Sequence, residues 1–240
     1  MHAPKKTDMS QNNNSNTSNA FKDRERTNIL WPLEKPTISF LCKIMPRFIS
    51  SDMLTAIGLM GSVLVTVSFY LATLHGKAFL FLAILGFAIN WFGDSLDGRI
   101  AYYRSTPRKW YGFSLDVIMD WLSLVLRAVG YYLYIPSDYK ILVFLFACAY
   151  AWAMLIAQLR YKLTDKYTID SGLLGPTETR VIICLVILAE ILFSNSIKWF
   201  SIIVNILLWT IDIIDTYKLL QIGNAKDEEE RKMKELKNKA

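Results

Sequence analysis

The sequence predicts an all-α polytopic membrane protein with six transmembrane helices, preceded by an amphipathic helix in the membrane interface. Three observations predict it. Of the 240 residues, 53% are hydrophobic, and the mean hydropathy is positive. The apolar runs are long and clean, where a soluble domain of this length would alternate polar and apolar faces. A bilayer core takes about 20 apolar residues per helix, and lipid forces backbone polar groups to pair within helices. Finally, Lys and Arg concentrate at alternate ends of those runs.

The elements follow in order. Residues 1–28 are rich in Asn and Ser and poor in large apolar side chains, which predicts a disordered polar tail with no cleavable signal peptide. The stretch PLEKPTISFLCKIMPRF mixes apolar residues with basic and proline punctuation, as an interfacial amphipathic segment does. Membrane helices are then expected over about Leu54–Leu74, Ala78–Ala101, Gly112–Ile135, Tyr139–Tyr161, Glu178–Phe193 and Lys198–Leu220. The membrane domain is thus expected over residues 29–222. Residues 223–240, with the run AKDEEERKMKELKNKA, read as a charged cytoplasmic tail, helical or frayed. Cys42, Cys148 and Cys184 show no metal or redox spacing and read as buried thiols. His2 and His75 carry no catalytic signal.

Both termini and the second and fourth loops fall on one side. That side then holds all of the 27 basic residues except Lys77, Lys140, Lys198 and Arg127. Basic loops stay cytoplasmic, so an integral (cytoplasmic, if bacterial) membrane location with termini inside is expected. The net charge of +6 suits an inner face against anionic lipid. The basic residues form no separate domain, so no nucleic-acid partner is expected.

The chemistry gathers in GDSLDGRIAYYRSTPRKWYGFSLDVIMD, residues 93–120. Asp94 and Asp97 are three apart at the cytoplasmic end of the second membrane helix. Asp116 and Asp120 are four apart at the start of the third. Each pair projects from one helical face, and the short loop between them predicts antiparallel neighbours whose four acids converge. Crowded carboxylates repel, and burial raises the cost. Hard divalent cations such as Mg²⁺, Mn²⁺ or Ca²⁺ are the simplest remedy. Gly98, Ala101 and Gly112 leave room beside them for a flat ligand. Metals with an adjacent slot suggest phosphate chemistry. Isolated acids at helix ends are ordinarily solvated or ion-paired; four at this spacing, interleaved with small residues, are harder to explain that way.

These residues resemble the signature of the CDP-alcohol phosphatidyltransferase family. That signature is D-x2-D-G-x2-A-R, a gap of eight or nine residues, then G-x3-D-x3-D. Asp94, Asp97, Gly98, Ala101, Gly112, Asp116 and Asp120 stand at matching spacing, and SSDMLTAIGL is similar to the family's opening to its first membrane helix. One position departs: Tyr102 stands where the family has Arg, with Arg104 two residues later. The resemblance implies that a hydroxyl attacks a phosphorus of a CDP-linked donor and CMP leaves. It implies Asp94, Asp97 and Asp116 as ligands of two Mg²⁺ or Mn²⁺ ions, and Asp120 as the base and a further metal contact. Asp94, Gly98, Ala101 and Gly112 would hold the nucleotide. A homodimer is implied as well.

In GLLGPTETRV, residues 172–181, Pro176-Thr177-Glu178 reads as a helix start. The resemblance suggests Glu178 and Arg180 beside the acceptor, against the plainer reading of a cap and a basic anchor. Arg104, Lys109 and Arg160 are further acceptor candidates, because Arg and Lys clusters hold phosphate. Many basic residues here also serve as snorkelling anchors. CDP-diacylglycerol with a phosphorylated acceptor, such as glycerol phosphate or inositol phosphate, is the preferred pair. Free inositol or serine remains open, as does transfer from CDP-choline or CDP-ethanolamine to diacylglycerol. Arg127 is expected to pair with Glu190, Asp212 or Asp215 at membrane depth. A transporter would carry its key charges near the midplane, and a non-catalytic scaffold would have little reason to keep four costly acids.

Overall fold

The computed structural model describes residues 29–164 and 175–239. The predicted polar tail, residues 1–28, lies outside the described residues, as do residues 172–174 of GLLGPTETRV. The helices described are α1 (Trp31–Ile44), α2 (Ser51–His75), α3 (Leu80–Tyr103), α4 (Lys109–Tyr134), α5 (Lys140–Thr164), α6 (Pro176–Leu192) and α7 (Ser196–Lys239). No strand occurs among the described residues. The first five predicted membrane helices are helices within a few residues of their expected ends, the sixth begins as expected and runs 19 residues past its expected end at Leu220, and α1 covers most of the predicted interfacial segment. Four candidate spans are long and apolar enough to cross a bilayer: α2, α3 with the turn before it, α5 and α7. α6 has only 17 residues, and α4 carries Asp116, Asp120 and Arg127 along its length. α7 is a single helix of 44 residues that runs through the expected boundary at 222/223, so the charged tail extends the last helix.

Local chemistry accounts for the ends. Ser50 caps α2, its hydroxyl accepting from Met53 N at 3.2 Å. Gly76, at φ 104°, stops the helix in a conformation that L side chains rarely adopt. α3 ends in a left-handed turn at Ser105 (φ 57°), with Thr106 N donating to Ala101 O at 2.9 Å. Pro176 opens α6, and the Glu178 carboxylate accepts from Gly175 N at 3.0 Å, as the predicted helix start requires.

The described residues form two compact units. The first holds residues 29–135 and 175–197, that is α1 to α4, α6 and the first residues of α7. Its hub is α2, which packs extensively against both α3 and α4. The two acid-bearing helices meet through side chains, with Asp94 beside Asp116 and Asp120 and Arg127 over the Phe87 ring, while the extensive backbone packing of each is against α2. Small residues permit it. A Cβ on Gly61 would meet Asn90 N at 2.5 Å and Gly86 O at 2.6 Å, and one on Gly93 would collide with the backbone of Leu54 and Gly58. On α4, a Cβ on Gly130 would meet Thr66 Cα at 2.7 Å. Close backbone approach over small residues is how helices associate where lipid removes the hydrophobic drive. Two apolar clusters flank this contact, one around Val65, Phe69, Leu80 and Phe87, the other around Ile38, Leu54, Leu96 and Ile100.

The second unit holds residues 136–164 and 198–239, so α5 packs on the main length of α7. Asn205 Nδ2 donates to Leu142 O at 3.1 Å, Trp209 Nε1 donates to Leu145 O at 3.3 Å, and the Trp152 and Trp209 rings meet edge to face. Arg160 pairs with Asp215 at 3.7 Å.

Candidate active site

The carboxylates gather where α2, α3 and α4 meet. Asp94 on α3 and Asp116 and Asp120 on α4 each bring a carboxylate oxygen within 4.8 Å of the others. The concavity that holds them is lined by all four predicted acids together with Thr55, Gly58, Asn90 and Ser123. Asp97 stands at its edge and is buried: Thr55 Oγ1 donates to one of its oxygens at 2.7 Å and Gly98 N to the other at 2.5 Å. Each carboxylate oxygen has more than one lone pair, so these bonds orient Asp97 without exhausting it.

A divalent ion fits this donor set. Oxygen ligands about 2.0–2.6 Å from a hard cation are the usual arrangement, and three half-buried carboxylates this close need positive charge among them. Asp94, Asp116 and Asp120, with Asp97 beside them, are the residues that would hold it. Arg180 on α6 supplies one cation: its Nη2 donates to Asp94 Oδ2 and its Nε to Asn90 Oδ1 at 3.0 Å. The Arg180 and Arg127 guanidiniums both act electrostatically on Asp120.

The remaining predicted site residues separate. Gly98 and Gly112 are exposed, and a Cβ on either would meet nothing within 4 Å, so both leave open space beside the acids. Ala101, three residues beyond Gly98, is half-buried. Glu178 is turned to structure: it caps α6 and accepts from Leu30 N at 2.7 Å. Next to it Thr177 Oγ1 donates to Glu34 Oε1 at 2.9 Å, so the start of α6 is tied twice to the start of α1. Arg104 spends its guanidinium on the carbonyls of Ile49 (2.5 Å) and Pro46 (2.8 Å). Lys109 lies over the Trp110 ring. Arg160 belongs to the second unit, with Asp215.

Two of the three acids expected to meet Arg127 have other company. Glu190 pairs with Lys77 at 3.5 Å, and Asp215 with Arg160. Arg127 rests its Nε on Ser123 O at 2.9 Å and its guanidinium over the Phe87 ring. Burial raises the Cys42 thiol to about 11, so it stays protonated, in keeping with the inert thiol expected there.

Thr55 and Asn90 were missed by sequence reasoning. Asn90 is the signal that was available: a lone amide inside an apolar run, four residues before Asp94 and so on its face.

A model of the CDP-alcohol phosphatidyltransferase family matches residues 48–215, well over half of the chain. The chain belongs to this family of membrane transferases, whose reaction is phosphatidyl transfer from a CDP-linked alcohol, generally with divalent metal ions. A comparison with curated proteins gave no match.

Proposed function

We propose that this chain transfers a phosphatidyl group from CDP-diacylglycerol to the hydroxyl of a small, phosphorylated alcohol such as glycerol phosphate or inositol phosphate, releasing CMP. The observation that supports it most is the gathering of Asp94, Asp116 and Asp120 oxygens within 4.8 Å, at the family's signature positions. Two Mg²⁺ or Mn²⁺ ions, held by Asp94, Asp97, Asp116 and Asp120, would supply charge neutralisation to the diphosphate. Asp120, deepest along α4, takes the proton of the acceptor hydroxyl. Asp94, Gly98, Ala101 and Gly112 bound the slot for the nucleotide, where the open space beside the two glycines admits a flat ring. Arg180 sits where it can reach a phosphoryl oxygen, and positioning with one base is sufficient for such a displacement. Lys109 and Arg104 lie near the loop between α3 and α4 and serve the acceptor side or the lipid headgroups, and Glu178 supports the pocket from its cap.

Six spans are part of the same reading. α4 and α6 complete the set, with α1 lying in the interface as the amphipathic segment. Both termini and the acids face the cytoplasm, following the distribution of Lys and Arg. The functional unit is a homodimer. A second reading has one specific support: Tyr102 replaces the Arg of the family signature, which favours a different donor, a CDP-amino alcohol passing its headgroup to diacylglycerol.

Incubation of the purified protein with CDP-diacylglycerol and Mg²⁺ or Mn²⁺, adding alcohols one at a time, tests the proposal. CMP release that depends on one alcohol supports it and identifies the acceptor. CMP from CDP-choline with diacylglycerol, and none from CDP-diacylglycerol, moves the assignment to the second reading.

A further inference from the structure

Arg180 grips two different partners with one planar fork. Nε holds Asn90, which is itself fixed: Asn90 Nδ2 donates to Gly58 O at 3.0 Å and to Ser62 Oγ at 3.3 Å, where α2 and α3 touch backbone to backbone. The Nε grip is therefore anchored to the tightest contact of the unit. The Nη2 grip falls on Asp94, one of the three carboxylates that come together. The guanidinium is largely buried, 12% exposed, so water screens it little. A divalent ion on these carboxylates has to share Asp94 with this guanidinium and meets its charge at short range.

We propose that Arg180 is a displaceable counter-cation: it competes with the divalent ion for Asp94 and, still anchored on Asn90, passes its freed Nη2 to a phosphoryl oxygen of the donor. The proposal rests on the phosphatidyl-transfer reading above. No covalent bond changes; one charge-assisted hydrogen bond is exchanged for another. Asp94 gives up a guanidinium and gains an ion, while the guanidinium gives up a carboxylate and gains a phosphate, a partner its fork geometry suits. Ion and nucleotide then help each other bind, because each removes the cost the other would meet alone. An Arg180 that merely oriented Asp94 would have the opposite effect on the ion, since its loss would loosen the site.

The test is Mn²⁺ binding, read from the loss of the free-ion EPR signal, for the intact protein and Arg180→Gln in the same detergent, without nucleotide. The expected result is a Kd about ten-fold tighter in Arg180→Gln, within the usual range of coupling between sites. CDP affinity, measured by calorimetry at saturating Mn²⁺, is expected to weaken about ten-fold in the same variant. Opposite shifts from one substitution are the signature. Mn²⁺ binding that is unchanged or weaker overturns the proposal, and so does tighter Mn²⁺ binding with unchanged CDP affinity. Should Arg180→Gln fail to fold, Arg180→Lys keeps the charge and loses the fork. It is expected to shift both constants in the same directions by smaller factors, and unchanged constants there overturn the proposal. These readouts need no turnover, so a failure of CMP release leaves them standing and bears on the transfer reading alone.

Discussion

α6 meets carboxylates at two levels, the half-buried cluster beside Arg180 and the single buried Glu190, and these two residues lie about 15 Å apart along it at 1.5 Å per residue. Glu190 is 3% exposed and fully occupied: Lys77 pairs with it, the Tyr134 hydroxyl donates at 2.9 Å, and Asn195 N, Ser196 Oγ and Ile197 N donate as well. Its partners come from the turn before α3, the end of α4 and the start of α7. It is one acid with many donors, so it works as a knot tying the ends of helices. The cluster beside Arg180 inverts that ratio. Three acids crowd within 4.8 Å, and Arg180 of α6 and Arg127 of α4 both act on Asp120. A buried charge given donors stabilises a fold, whereas several buried charges given each other hold a site open for a ligand. The difference between these regions separates structure from chemistry without reference to any relative.

Removing one acid from each region should break the comparison most sharply. Asp120→Asn is expected to lower CMP release by about 10³-fold, as loss of a general base does, while the thermal midpoint in detergent stays level or rises because a like charge is gone. Undiminished turnover in Asp120→Asn would remove Asp120 as the base. Glu190→Gln is expected to do the reverse. It should destabilise the fold by about 2 kcal/mol through the broken pair and weakened bonds, measured by unfolding in denaturant, with turnover per folded molecule unchanged.

The glycines divide along the same line. Gly93→Ala drives a Cβ into the backbone of Leu54 and Gly58, an overpacking that costs about 3 kcal/mol. It is expected to reduce folded yield with no selective change in KM, and a folded, fully stable Gly93→Ala would show that α2 and α3 can part without loss.

How much of this was legible follows from which facts are local. The pairs Asp94/Asp97 and Asp116/Asp120 repeat at helical spacing, so their shared faces could be read from the chain. So could the start of α6, because Pro176 and Glu178 act within one turn. The helix ends were legible to a few residues for the same reason, except at the C-terminus of α7, where the charged run AKDEEERKMKELKNK continues the helix and carries no stop signal. What brings the pairs together was not. The short loop after Tyr103 made α3 and α4 neighbours, but nothing local showed that the close backbone packing of each would be with α2. The signal was there in Gly58, Gly61, Gly86 and Gly93, small residues spaced for close approach, but it names no partner helix. Arg104 and Arg180 looked alike as basic residues near the acids. Only the fold shows that Arg104 holds carbonyls of the segment before α2 and that Arg180 reaches Asp94. Thr55, forty-two residues before Asp97, carries no local mark of its role.

The smallest effect sharpens the comparison within the site. Gly98 follows Asp97 directly, and a Cβ there meets nothing of the protein within 4 Å. The same change that wrecks the helix contact at Gly93 is therefore tolerated by the fold at Gly98. Gly98→Val adds bulk only to the space beside the acids, at a cost to stability under about 1 kcal/mol from helix propensity and exposure. If that space is the floor for the cytidine, the donor KM should rise about ten-fold with kcat little altered, because ground-state and transition-state binding are lost together. A donor KM unchanged in Gly98→Val would move the nucleotide away from this face of α3 and leave the acids to bind the diphosphate alone.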